Sequence, residues 1–129
     1  RWTRPHVPPR RSEARKVSLR LKTEIWVQAF LRRCEVNGQF GSVITRGAEE
    51  AGALYIVINH LDGGHDLLSP APGAAYDEAG ERRFIRDFPS PVPWAEVSAR
   101  MEKRKRSDPD LWLIEVEDRT GLAGLTVES

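Results

Sequence analysis

The segment Ala53-Leu54-Tyr55-Ile56-Val57-Ile58 limits what this chain can fold into more than any other stretch. It holds six apolar residues in a row, rich in β-branched and aromatic types. Gly52 precedes it and Asp62-Gly63-Gly64 follows. A short apolar run bounded by turn residues reads as a strand buried on both faces. Its place is therefore the centre of a sheet, with the rest of the chain arranged around it.

A chain of 129 residues fits one domain and encloses one core. Its 40% hydrophobic and 30% charged residues are ordinary for a water-soluble fold. No window approaches the roughly 18 uninterrupted apolar residues that a membrane span needs. No apolar leader segment opens the chain, so no secretory signal is expected in it. The single cysteine, Cys34, cannot close an internal disulfide. A cytoplasmic setting is the expectation from these features together.

The net charge of +1 conceals an asymmetry. In the first 18 residues Arg1, Arg4, Arg10, Arg11, Arg15 and Lys16 face only Glu13. That segment carries +5, which leaves −4 for the remainder. Residues 1–18 also hold Pro5, Pro8 and Pro9 and few large apolar side chains. Such a segment cannot bury enough surface to offset its ordering entropy, so it reads as an extended or disordered arm. Residues 19–119 read as one domain and 120–129 as a tail.

The periodicity predicts a helix from about Thr23 to Asn37. Apolar residues at 25, 26, 29, 30 and 34 make a wide stripe. Asn37-Gly38 is a good C-terminal stop. Cys34 lies on the apolar stripe and reads as core filler. Phe40 to Thr45 is a short strand, and the central strand runs from Ala53 to about His60. Asp62-Gly63 is a hairpin signal. A two-residue turn there sets Leu61 opposite Gly64 and His60 opposite His65. Leu67 and Leu68 continue the return strand. Pro70, Pro72, Gly73 and Gly80 mark a loop, and Arg82 to Phe88 is a short charged strand near an edge. Trp94, Val97 and Met101 give the narrow apolar face of a second helix after Pro93. Leu111 to Glu117 is the last strand, with Trp112, Ile114 and Val116 on one face. The expected architecture is α+β: four to five largely antiparallel strands, two helices on one face, in the order α-β-β-β-β-α-β.

Three groups of residues could carry chemistry. A two-residue hairpin turn would bring His60 and His65 to about 5 Å between Cβ atoms, close enough to share a metal, with Asp62 or Asp66 as a third ligand. The plainer interpretation is turn chemistry flanked by an exposed histidine pair. Asp108, Asp110, Glu115, Glu117 and Asp118 form an acidic stretch, and alternate carboxylates of this kind hold a divalent ion in nucleases. No lysine accompanies them there, and a solvated strand face explains them as well. Lys103, Arg104, Lys105 and Arg106 could join Arg10, Arg11, Arg15 and Lys16 in holding phosphates. Basic residues at a helix C-terminus also answer the macrodipole. No phosphate-binding glycine loop, nucleophilic triad or cysteine cluster is present, and no cofactor is implied.

Three stretches support a resemblance. They are Arg20 to Ala29 (RLKTEIWVQA), Asn59 to Gly63 (NHLDG) and Asp108 to Arg119 (DPDLWLIEVEDR). On these the chain resembles a family of short alphaproteobacterial proteins, about 110 residues long, catalogued only as a domain of unknown function. The likeness spans about Leu19 to Arg119. It implies no activity, cofactor or catalytic residue. It implies family members that begin near Leu19, with the basic arm as an extension, and a basic residue such as arginine at the place of His60. The leading expectation is a non-catalytic interaction or regulatory module, with a homodimer as one form. Nucleic-acid binding through the basic residues ranks second, and a metal-dependent hydrolase or nuclease third. No membrane partner is expected.

Overall fold

The computed structural model describes residues 22–73 and 81–128. Among them α1 spans Thr23–Val36, β1 Gly41–Thr45, β2 Leu54–Asn59, β3 His65–Pro70 and β4 Arg83–Arg86. The second helix, α2, spans Trp94–Ser107, followed by β5 at Trp112–Glu117 and β6 at Thr126–Glu128. The six strands form one sheet in the order β1-β5-β2-β3-β4-β6. The Ala53–Ile58 run supplies β2, third in that order, and Leu54, Ile56, Val57 and Ile58 have no exposed surface.

Burial on both faces needs a covering layer on each. Trp26, Val27, Phe30 and Cys34 of α1 pack with Leu54, Ile56, Ile58, Trp112, Ile114 and Val116. Val97 and Met101 of α2 pack with Val57, Leu67, Leu111 and Leu113. Alternate residues of β2 and β5 thus point into different cores. The helices cover opposite faces, not one face as expected. The physical reason is that Val57 and Leu113 are as apolar as Ile56 and Ile114, and one helix layer would have left them wet.

The sheet is also mixed, not largely antiparallel. β1/β5, β2/β3 and β3/β4 are antiparallel, while β2/β5 and β4/β6 are parallel. After β4 the chain returns through α2 and lays β5 beside β2, and a crossover of this kind yields parallel strands. The residues expected as a tail supply β6. Leu122, Leu125 and Val127 pack against the α1-side core, and this burial holds the segment on the sheet. The expected arm, residues 1–18, lies outside the described residues.

The first helix starts without a side-chain cap. Instead the backbone N–H groups of Thr23 and Glu24 donate to the carbonyls of Glu50 and Glu49, both at 3.1 Å. The Thr23 hydroxyl donates to the Gly52 carbonyl at 2.9 Å. These contacts satisfy donors that every helix start leaves open. The helix stops where expected: Gly38 takes a left-handed φ of 75°.

Candidate functional site

The hairpin register decides what the histidines can do. Asn59 pairs with His65, and Ile58 with Asp66. The expected pairing of His60 with His65 is therefore displaced by one residue. The loop is longer than two residues: His60 N–H donates to the Gly64 carbonyl at 3.0 Å, and both Leu61 (φ 63°) and Gly63 (φ 92°) are left-handed. A one-residue slip moves a side chain to the other face of a sheet. His60 accordingly lies on the α1 side with Asp66, and His65 lies on the α2 side.

His65 is tied to the segment leading into α2. Its backbone exchanges hydrogen bonds with Val92 at 2.8 and 2.9 Å, and its ring sits 5.8 Å from that of Trp94. Asp62 accepts a hydrogen bond from the Gly64 N–H at 2.8 Å, which is turn chemistry. The structure thus does not bring His60, His65 and Asp62 together. Among the described residues no three or more His, Cys, Asp or Glu side chains converge as a metal site.

What the fold builds around His60 is different. Its Nδ1 lies 2.7 Å from the Asp118 carbonyl oxygen, and its Nε2 lies 2.8 Å from Asp66 Oδ2. A carbonyl can only accept, so Nδ1 carries a proton and donates it. Nε2 then faces a carboxylate across a second proton. Burial works against the charged ring. The Asp66 hydrogen bond, the Asp118 carbonyl and the charges of Asp66 and Asp62 outweigh it, and the imidazole pKa is held above its ordinary 6.5. His60 is held between two acceptors, an arrangement that favours its charged form. The Asp66 side chain is only 4% exposed, and Arg86 Nε stands 3.5 Å from its Oδ1.

Asp118 organises the next wall. Its Oδ1 accepts from the N–H groups of Thr120 at 3.2 Å and Gly121 at 3.0 Å. Its Oδ2 accepts from Ala123 N–H at 2.9 Å and Gln39 Nε2 at 3.0 Å. Burial opposes this carboxylate's charge, but the four donors prevail and hold its pKa below the usual value. Between the two walls lies a cleft of about 360 Å³, bordered by His60, Asp66, Arg86, Pro91, Arg119 and Thr120. It sits beyond the carboxyl ends of the parallel pair β2 and β5, where open sheets often hold ligands.

The acidic stretch is dispersed. Glu115 accepts from Asn59 Nδ2 at 3.3 Å on the α2 side, while Asp118 belongs to the His60 side. Asp108 Oδ1 accepts from the Asp110 N–H at 3.2 Å, just past the end of α2. The basic run of α2 is divided as well. Arg104 pairs with Asp87 and lies 5.0 Å over the Tyr55 ring, whereas Lys103, Lys105 and Arg106 are exposed. Arg10, Arg11, Arg15 and Lys16 lie outside the described residues. Sequence reasoning missed Arg86 and the Asp118 carbonyl, and weighed Asp66 only as a metal ligand, not as the partner of His60. One signal existed: a carboxylate inside the apolar strand His65–Pro70 has to be paired.

The profile of a family described as "Protein of unknown function (DUF1491)" matches residues 21–126. The chain belongs to this family. A DUF1491 family protein from Caulobacter crescentus, solved by crystallography, is 34% identical with a TM-score of 0.68. The match covers 84% of this chain and 99% of that one. The solution structure of protein Atu0922 from A. tumefaciens is 36% identical with a TM-score of 0.70, covering 85% of this chain and 98% of that one. Both sources are alphaproteobacteria. No functionally curated protein matches the DUF1491 chain. Among its described residues, no helix is long and apolar enough to cross a membrane.

Proposed function

We propose that this DUF1491 domain acts by binding, as a non-catalytic interaction or regulatory module in the cytoplasm. One observation carries the reading. The cleft that gathers a histidine with carboxylates has both nitrogens of that ring engaged by the protein itself, at 2.7 and 2.8 Å. A general acid or base needs a nitrogen within reach of a substrate proton. His60 offers none, and Asp118 is likewise held by four donors of the protein. These groups shape and stiffen two walls, and a stiff wall suits recognition more than proton transfer.

The test has two arms. Nitrogen-detected NMR of the imidazoles should show both His60 nitrogens protonated at pH 6, below the ordinary histidine pKa. A panel of phosphodiester, ester and peptide substrates should show no turnover that depends on His60. Hydrolysis by the purified protein that disappears in His60→Gln, with the fold retained, overturns the proposal.

A further inference from the structure

The apolar surface left outside the two cores is unevenly placed. Among the described residues seven large hydrophobic side chains are exposed, and four of them border β1: Phe40, Val43, Ile44 and Trp94. A fifth, Val36, is the last residue of the helix that leads into this strand. Phe40 and Leu31 share a hollow on the α1 side. Ile44 and Trp94 share a groove on the α2 side with Met101, Leu111 and Leu113.

Among the described residues β1 is also an outer strand of the sheet, so one row of its N–H and C=O groups has no described strand beyond it. Open edges are ordinarily guarded by charge, brevity or a bulge. The opposite edge is guarded in this way: β6 has three residues, and its Glu128 pairs with Arg83. β1 is five residues long and carries an irregularity between Val43 and Thr45, but unlike β6 it has no charged side chain to guard it. Residues 36–45 contain no charged side chain, in a chain that is 30% charged.

We infer that β1 is a self-association edge, and that its occupant is β1 of a second copy, antiparallel across a two-fold axis. Charge admits this occupant. Across a two-fold each residue meets its like or a near neighbour, so a charged edge would repel itself and this uncharged one does not. The borders fit the same symmetry. The α2-side groove carries Glu102 and Lys105, and the α1-side hollow carries Arg32 and Glu35. Each border holds one acid and one base, which can pair reciprocally between copies. Pairing would cover Phe40 and Val43 on one face and Ile44 and Trp94 on the other.

The inference rests on the reading of this domain as a binding module, but not on the His60 cleft. It is tested with the full chain by sedimentation equilibrium from micromolar to near-millimolar concentration. The wild-type protein should be a dimer. Val43→Lys places like charges face to face across the axis and should give a monomer with an unchanged circular dichroism spectrum. Phe40→Glu lies outside the strand and should weaken association about tenfold, the effect of losing one anchor. If Val43→Lys fails to fold, Phe40→Glu decides. A wild-type monomer throughout, or a dimer indifferent to Phe40→Glu and to a folded Val43→Lys, overturns the inference. A monomer that shows no turnover leaves the binding module standing without self-association, whereas His60-dependent turnover removes the binding module whatever the assembly.

Discussion

Each nitrogen of the His60 ring has a protein acceptor, and the ring therefore loses something definite when it deprotonates. Below the unfolded histidine pKa the folded and unfolded states both carry the proton, and the two hydrogen bonds stabilise the fold fully. As pH rises through the raised pKa of the folded state, that stabilisation is lost. Urea denaturation of wild type and His60→Gln should differ most near pH 6 and progressively less above neutrality. A gap that widens with rising pH would refute the imidazolium assignment. Asp118 has the opposite sign. Its depressed pKa gives stability that is present above the usual carboxyl value of 3.8 and is lost as pH falls through the folded value. The two groups are at full strength together only between about pH 4 and 6.5.

The connection between β1 and β2 shows how an element can depend on backbone contact. Residues 46–52 lie against Asp110 and Leu111. Ala48 N–H donates to the Asp110 carbonyl at 2.9 Å, and Trp112 Nε1 donates to the Ala48 carbonyl at 2.7 Å. A Cβ on Gly47 would sit 2.3 Å from the Asp110 carbonyl oxygen and 2.4 Å from that of Leu111. Both obstacles are backbone and cannot rotate away. Gly47→Ala should therefore cost about 3 kcal/mol, the range of overpacking and strain, read as a lower urea midpoint. Gly38, where an added Cβ meets nothing within 4 Å, provides a contrast. There Ala is disfavoured only by the left-handed backbone, φ 75°, at about 1 kcal/mol. Equal costs at the two sites would contradict the close approach.

At the scale of the whole molecule, stability should be graded from the centre of the sheet outward. β2 lies between β5 and β3 and between two helices, and its Leu54, Ile56, Val57 and Ile58 side chains are wholly buried. Local openings of such a strand require global unfolding. Amides of Ile56, Val57, Ile58 and Ile114 should exchange slowest by NMR, and those of β6 fastest among the strands. Slow exchange along β1 in the dimer, lost in Val43→Lys, would report the proposed edge pairing by an independent route.

Much of this was legible in residue order, and particular positions show the limit. Alternation along Leu111–Glu117 correctly separated Trp112, Ile114 and Val116 from Leu113, Glu115 and Glu117, because strand pleating is a local property. The stop at Asn37-Gly38 and the burial of Cys34 were also local. The hairpin register was not, because the five residues from His60 to Gly64 accept more than one turn geometry. That single slip decided whether two histidines met or parted.

Local chemistry therefore determined which residues form the two helices and β1 to β5, which strand is central, and that residues 1–18 are basic and proline-rich. Tertiary packing alone decided that the helices take opposite faces, that β5 lies parallel to β2, and that residues 126–128 join the sheet. It also set His60 between Asp66 and the Asp118 carbonyl, groups six and 58 residues away. Partners so distant in sequence are chosen by which buried surfaces fit together, a property of the folded body that no short window of residues contains.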